Sequence, residues 1–286
     1  MAEKIKKDVK FMFALIGYPL GHSMSPFIHK RLFELSGKND DYELFEISPE
    51  NLEKCFSNAI ERYDGLNVTI PHKTEVIPFL DGMHESAARY NAVNCIAKEN
   101  GRLIGYNTDC IGFLRSVSKD ALGNKFLISG CGGAGRMMAL EAAAHGADIT
   151  IAIKDFSAQQ AEILINEINE KFPQISVRTA DLDNIEGRFD LYANATPVGM
   201  YPHMDECPVS EKVIENCENI FDAIYNPNET VLVKTAKKLG KNAVGGMSML
   251  VLQAVAAHEI WYGAKFTKQQ TEDIIKEASE AVKTMF

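Results

Sequence analysis

The sequence predicts an α/β fold of two domains, each built on a mainly parallel sheet, the second doubly wound. Three observations carry that expectation. Strand and helix signals alternate almost throughout the 286 residues, and repeated strand–helix units imply parallel sheets covered on both faces. A chain of this length suits roughly one to two domains. A glycine-rich turn, Gly130-Cys131-Gly132-Gly133-Ala134-Gly135, stands between an apolar strand and an alanine-rich helix in the second half.

Phe11–Gly17 is apolar and forms the expected first buried strand, stopped by Tyr18-Pro19. A helix is expected from about Pro26 to Leu35, closed by Gly37. Tyr42–Ile47 follows as a strand and Pro49–Arg62 as a helix. Gly65–Ile70 alternates apolar and polar residues, as a short strand does. Pro71 cannot extend a strand but suits the first turn of a helix, which is expected to run to about Leu80. Lys73 therefore falls just past a strand-to-helix switch, with the amide of Asn67 and the hydroxyl of Thr69 before it. Polar groups at the end of a buried strand build sites in α/β proteins, although an ordinary lysine on a solvated helix has the same local sequence. Val93–Ala97 and Arg102–Tyr106 form a hairpin, because Glu99-Asn100-Gly101 between them is turn chemistry. Asp109–Ser118 is a connecting helix, and the domain boundary is placed there, with domains at 1–108 and 109–246.

The second half is more regular. Strand Lys125–Ser129 leads through the glycine turn into a helix from Gly133 to His145, then strand Asp148–Ile153 and helix Ser157–Lys171. Strands Ile175–Thr179, Asp190–Asn194 and Ile220–Ala223 follow, and Met247–Trp261 and Thr267–Thr284 are helical by period. The last two helices, within about 247–286, are expected to pack back on the first domain. Gly130, Gly132 and Gly135 satisfy G-x-G-x-x-G in the context that gives this pattern meaning, namely strand, turn, helix and second strand. The glycines permit a tight turn, a close backbone approach to a pyrophosphate, and close helix–strand packing, while the helix N-terminus offers N–H groups to the phosphates. A Rossmann-type dinucleotide-binding domain is the expectation. At the end of the second strand, Lys154 would suit the 2′-phosphate of NADP and Asp155 the ribose hydroxyls of NAD, so the pair leaves cofactor choice open.

Composition excludes other classes. Apolar residues make up 46% and charged residues 24%, as in ordinary globular chains. A net charge of −9 without a basic stripe argues against nucleic acid or an anionic membrane as partner, and leaves any anionic substrate to local donors. None of the six cysteines forms a C-x-x-C pair or has histidine at zinc-finger spacing, so reduced thiols, a cytoplasmic location and no metal site are expected. Lys4, Lys6, Lys7 and Lys10 precede the apolar run Phe11–Ile16, but that run is short and lacks a small-residue cleavage site. No segment has the length and apolarity of a membrane span.

Further runs fall in a definite order around the glycine turn. Gly17-Tyr18-Pro19-Leu20-Gly21-His22-Ser23-Met24-Ser25-Pro26 leads into the first helix, and Asn91-Ala92-Val93-Asn94 follows Lys73. Gly105-Tyr106-Asn107-Thr108-Asp109-Cys110-Ile111-Gly112 closes the first domain. Asn194-Ala195-Thr196-Pro197-Val198-Gly199-Met200 follows a strand of the second, and Gly246-Met247-Ser248-Met249-Leu250-Val251-Leu252-Gln253-Ala254 opens the penultimate helix. From about Phe11 to Trp261 the chain resembles the shikimate dehydrogenase family, including its quinate/shikimate branch.

That resemblance implies reversible reduction of 3-dehydroshikimate to shikimate with NADP or NAD, by a protein with an N-terminal α/β substrate domain. Ser23 and Ser25 match the family's substrate-carboxylate serines, and one of them also suits an N-cap. Asn67, Thr69, Asn94, Asp109 and Gln253 match residues that bond the ring hydroxyls; Asp109 also looks like an N-cap before Ile111–Arg115. Lys73 and Asp109 match the catalytic pair, whose coupled titration makes proton transfer a property of both. Tyr225 matches another substrate position. On the cofactor side the resemblance implicates Gly132, Gly133, Ala134 and Gly135, then Thr196, Val198 and Met200, with Gly246 and Met249 beside the nicotinamide. The departures are Ile153-Lys154-Asp155 in place of the usual Asn-Arg-Thr run, Asn91 for a usual glycine, Cys95 for a usual threonine, and Pro197 where serine is frequent. Quinate, with NAD or both cofactors, is the neighbouring expectation, and a non-catalytic binding protein of the same fold the more distant one. The partner is a small molecule, and the expected assembly a monomer or homodimer.

Overall fold

Two six-stranded sheets organise the chain in a computed structural model that describes residues 10–21, 23–117, 119–154 and 157–285. These residues form two units, one of residues 10–108 with Ala254–Ile274, the other of 109–253 with 275–285.

In the first unit the order is β1 (Met12–Gly17), α1 (Ser25–Leu35), β2 (Asp41–Glu46), α2 (Leu52–Arg62), β3 (Gly65–Val68), β4 (Gly82–Met83), α3 (Glu85–Ala88), β5 (Cys95–Glu99) and β6 (Arg102–Tyr106). The sheet runs β2-β1-β3-β5-β6-β4. Strand β1 pairs in parallel with β2 on one side and β3 on the other, and β5 and β6 are an antiparallel hairpin. Asn100 and Gly101, at φ 51° and 78°, supply the two left-handed residues of its tight turn. Helix α1 ends at Gly37, whose φ of 65° allows the Gly37 and Lys38 N–H groups to reach the Glu34 and Phe33 carbonyls. Helix α2, entered through a 3₁₀ turn at Pro49–Asn51, buries Leu52, Phe56 and Ala59 on one face against Ile16, Leu66 and Val68. Trp261 closes the unit over β3. Its indole N–H donates to the Ile96 carbonyl at 3.1 Å, and a Cβ at Gly65 would stand 2.6 Å from the indole nitrogen.

One expected element is absent. Residues 70–76 are turns, followed by a 3₁₀ turn at Ile77–Phe79, not a helix from Pro71 to Leu80. Pro78 would stand inside that helix without an N–H to give, and it also disfavours the helical region for Ile77. Lys73 thus follows a strand-to-turn switch.

The second unit continues with α4 (Asp109–Ser116), α5 (Lys119–Leu122), β7 (Lys125–Ser129), α6 (Gly133–Ala144), β8 (Asp148–Ile153), α7 (Ala158–Lys171), β9 (Val177–Asp181), β10 (Phe189–Asn194), α8 (Glu211–Glu215), β11 (Cys217–Asp222), α9 (Val231–Lys238) and β12 (Asn242–Val244). Helix α10 (Gly246–Tyr262) begins in this unit and ends in the first, and α11 (Lys268–Met285) runs the other way. Its sheet, β12-β11-β10-β7-β8-β9, is parallel at every pairing. The strand order reverses between β7 and β10, the Rossmann arrangement, in which ligands bind beyond the carboxyl ends of those two strands. Helix α9 was not legible by period; Thr230 caps it by accepting the Val233 N–H. Among the described residues no helix is long and apolar enough to cross a membrane.

Candidate active site

In the first unit the strand order also reverses at β1 and β3, so the segments that leave their carboxyl ends flank one crevice. Ser23 and Ser25 follow β1, and Asn67, Thr69 and Lys73 lie on or after β3. The two segments press together: the Thr69 N–H donates to the Ile16 carbonyl and the Tyr18 N–H to that of Ile70. Gly17 is required there, because a Cβ would stand 2.4 Å from the Thr69 methyl and 3.0 Å from the Ile70 carbonyl. The Ser23 hydroxyl accepts the Ser25 N–H at 3.2 Å, but neither serine is the N-cap: Met24 holds that position, without a side-chain capping bond. Ser25 itself is buried as the first helical residue.

Asn67 and Asn94 form a buried row. The Asn67 side-chain amide donates to the Asn94 carbonyl at 3.2 Å, and Asn94 Oδ1 accepts the Thr108 N–H at 2.6 Å. Lys73 is held by its main chain, whose carbonyl accepts the Val93 N–H at 2.7 Å. Its neighbour His72 is fully buried and sits 2.6 Å from the Ile47 carbonyl through Nε2, pinning the turn to the end of β2. In the sequence His72 stood out only as part of the run around Lys73. Asn91 has a φ of 49°, so it fills a left-handed position that glycine also suits.

In the second unit, α4 begins at Asp109 and packs closely on the start of α10. A Cβ at Gly112 would lie 2.6 Å from the Met249 carbonyl and 3.0 Å from the Gln253 Cβ, so Gly112 lets the helices bearing Asp109 and Gln253 touch. The Gln253 amide donates back to the Leu250 carbonyl at 2.9 Å.

The glycine turn leaves β7 at the point where the sheet order reverses. Gly130 has a φ of 98°, and a Cβ there would stand 2.7 Å from the Ala195 carbonyl. At Gly135 a Cβ would be 1.9 Å from the Gly130 carbonyl, so the turn folds directly onto the first turn of α6. Gly132, Gly133 and Ala134 are exposed, and nothing stands within 4 Å of a Cβ built on either glycine. An open helix N-terminus with unobstructed main chain fits a dinucleotide's pyrophosphate. The cation nearest in sequence is engaged elsewhere: Arg136 donates two bonds of 2.6 Å to Glu167. Partial burial pushes the Glu167 carboxyl up, but bonds from Arg136 and Lys171 outweigh it and hold the pKa below its usual value.

Beside this turn, the loop after β10 hangs on a buried carboxylate that sequence reasoning missed. Asp222 accepts bonds from the Asn194 amide (3.0 Å), the Ile224 N–H (3.1 Å) and the Thr230 hydroxyl (2.6 Å). Burial pushes its pKa up against those bonds. Asn194 Oδ1 in turn accepts the Thr196 N–H and hydroxyl, and the Thr196 hydroxyl accepts the Val198 N–H at 3.3 Å. Met200 is exposed, Met249 and Tyr225 are partly buried, and burial raises the Tyr225 pKa. Gly246 must be glycine, since a Cβ would stand 2.1 Å from the Ala223 carbonyl.

At the end of β8, Lys154 is exposed beside a cleft of about 350 Å³ lined also by Thr179, Asp181 and Asp183, and its ammonium is 3.9 Å from Asp183. Asp155 lies outside the described residues. A larger cleft, of about 480 Å³ among Lys125, Arg188 and Lys241, opens at the opposite ends of the same strands, away from the glycine turn.

With this geometry, comparison with known proteins is consistent along nearly the whole chain. Residues 15–96 match the profile of the shikimate dehydrogenase substrate binding domain. The shikimate dehydrogenase (NADP(+)) of Caldanaerobacter subterraneus subsp. tengcongensis is 38% identical over 275 residues, covering 93% of this chain and 96% of that protein. The enzyme of the same name from Methanocaldococcus jannaschii is 40% identical over 262 residues, covering 88% and 91%. The crystal structure of shikimate 5-dehydrogenase from Thermus thermophilus, in complex with NADP(H) and shikimate, superposes with a TM-score of 0.81 at 29% identity, covering 94% of this chain and 99% of that one. The chain belongs to the shikimate dehydrogenase family.

Proposed function

We propose that the protein reversibly oxidises shikimate to 3-dehydroshikimate, with hydride leaving C3 of the ring while Lys73 and Asp109 share the proton of the C3 hydroxyl. The observation that carries this reading is the buried row of Asn67, Asn94 and Thr108 beside Lys73, in a chain of this family. A polyhydroxylated ring needs such matched donors and acceptors, because a ligand without the right hydroxyl leaves buried groups unpaired. Ser23 and Ser25 give their hydroxyls to the ring carboxylate at the start of α1, where an anion is favoured. Tyr225 and Gln253 complete the contacts to the ring. Residues 1–108 act as the substrate and catalytic domain and 109–246 as the nucleotide domain.

A nicotinamide dinucleotide, when bound, supplies the hydride acceptor. Gly130, Gly132, Gly133, Ala134 and Gly135 hold its pyrophosphate with main-chain N–H groups, and Thr196, Val198, Met200, Gly246 and Met249 border the nicotinamide end. NADP is the preferred form. The names of the relatives support this, as does Lys154, an exposed cation suited to a 2′-phosphate.

Initial rates with shikimate and with quinate, each with NADP and with NAD, test the reading. The highest rate is expected for shikimate with NADP. Inactivity in all four combinations would refute the function, and a higher rate with NAD would refute the cofactor preference alone.

A further inference from the structure

Tyr42 belongs to none of the motifs that point to the site, yet its hydroxyl reaches one of the site's residues. It donates to Asn67 Oδ1 at 2.9 Å. Its ring lies flat on that of His29, with centroids 3.9 Å apart and planes at 6°. His29 stands one turn after Ser25 on α1 and is fully buried, as is His258, and His29 Nδ1 meets His258 Nε2 at 3.0 Å. One of these nitrogens must donate and the other accept, so the bond requires at least one neutral ring. Burial lowers the pKa of both, and the neighbouring His258 lowers that of His29 further; His258 falls to about 3, so the pair stays neutral near pH 7. A neutral, buried pair is a rigid floor under the tyrosine ring. Above it, Asn67 is fixed from both ends, its oxygen by Tyr42 and its nitrogen by the Asn94 carbonyl. That leaves one amide proton and one oxygen lone pair to address a ligand.

We propose that Tyr42, clamped on the His29–His258 pair, is a positioning residue that sets the Asn67 amide orientation. It thereby decides which way the Asn67 amide faces the ring's hydroxyls. The kinetic form of this inference rests on the shikimate reading.

Tyr42→Phe keeps the ring on His29 and removes only the hydroxyl. With one hydrogen bond lost from the substrate's holders, the shikimate KM should rise about tenfold while kcat stays within about threefold and the cofactor KM is unchanged. A purely structural role would instead lower the active fraction, reducing kcat with KM kept, and that result or an unchanged shikimate KM overturns the proposal. A second readout needs no turnover. The side-chain amide signals of Asn67 in a ¹⁵N–¹H spectrum, identified by their loss in Asn67→Ala, should shift in Tyr42→Phe and exchange faster with water. Unmoved signals overturn the positioning role. If the wild-type protein oxidises no shikimate, the functional reading fails on that result, and the amide signals still decide whether Tyr42 holds Asn67.

Discussion

The two units offer a ligand different parts of the chain. In the first, the candidate contacts are side chains, namely amides, hydroxyls and a lysine, held by bonds to Asn94, Thr108, Tyr42 and the main chain. In the second, the open part of the site is main chain at the start of α6, kept bare by Gly132 and Gly133. Side chains can be exchanged one at a time, whereas a peptide N–H is common to every residue. The first arrangement therefore suits discrimination among similar rings, and the second suits a ligand part that never varies, such as a pyrophosphate.

Substitutions can break or sharpen that contrast. The largest effect is expected at Lys73 in the first unit. Lys73→Ala keeps the carbonyl that holds Val93, so the turn should survive, while loss of the proposed proton-transfer group should lower kcat about a thousandfold with shikimate KM within about threefold. Turnover near wild type would remove Lys73 from the chemistry. Next comes the main-chain site. Gly135→Ala forces a methyl into the Gly130 carbonyl, and the cofactor KM should rise about a hundredfold, close to 2.7 kcal/mol. A cofactor KM near wild type would mean that the turn's shape is not what binds.

The third test separates the units by pH. The folded pKa values of His29 and His258 lie below the usual histidine value, so their contribution to stability is complete above about pH 6.5 and is lost as pH falls, for His258 through about 3. Each ring adds a slope of up to about 1.4 kcal/mol per pH unit within that window. His258→Phe should remove one proton's share, seen as a smaller shift in urea midpoint between pH 7 and pH 5. An equal shift in variant and wild type would show that the pair is not the acid-sensitive element. The smallest effect is expected at Lys154. Lys154→Ala should weaken NADP about fivefold, roughly 1 kcal/mol, and leave NAD unchanged, since only one ligand carries the extra phosphate. Equal losses for both would return that end of the cofactor to main-chain recognition.

The first two parallel strands of the second unit were legible because each is a short apolar run bounded by turn residues, and Lys125–Ser129 and Asp148–Ile153 match their expected bounds, whereas β12 gave no such run. The family's ordered motifs were equally plain. What the sequence hid depends on distant partners. Pro71 suggested a helix start, but Pro78 farther on prevents the helix. Tyr42 looked like an ordinary strand residue, because its meaning comes from Asn67, twenty-five positions away, and from His29 beneath it. Asp222 lies inside the expected strand Ile220–Ala223 with no signal of its own, and only the three donors that converge on it mark it as a buried anchor. Local periodicity carries no information on such pairings, which the fold creates when it brings strand ends together.

The indole that lies over β3 has a practical consequence. Trp261 is the chain's one tryptophan, it belongs to the first unit, and it packs against Phe13 with ring centroids 4.6 Å apart. Selectively excited indole fluorescence therefore follows the melting of the first unit's sheet alone, while far-ultraviolet circular dichroism sums over both sheets. A single denaturation series read by both signals becomes a measure of how cooperatively the two halves of the chain unfold.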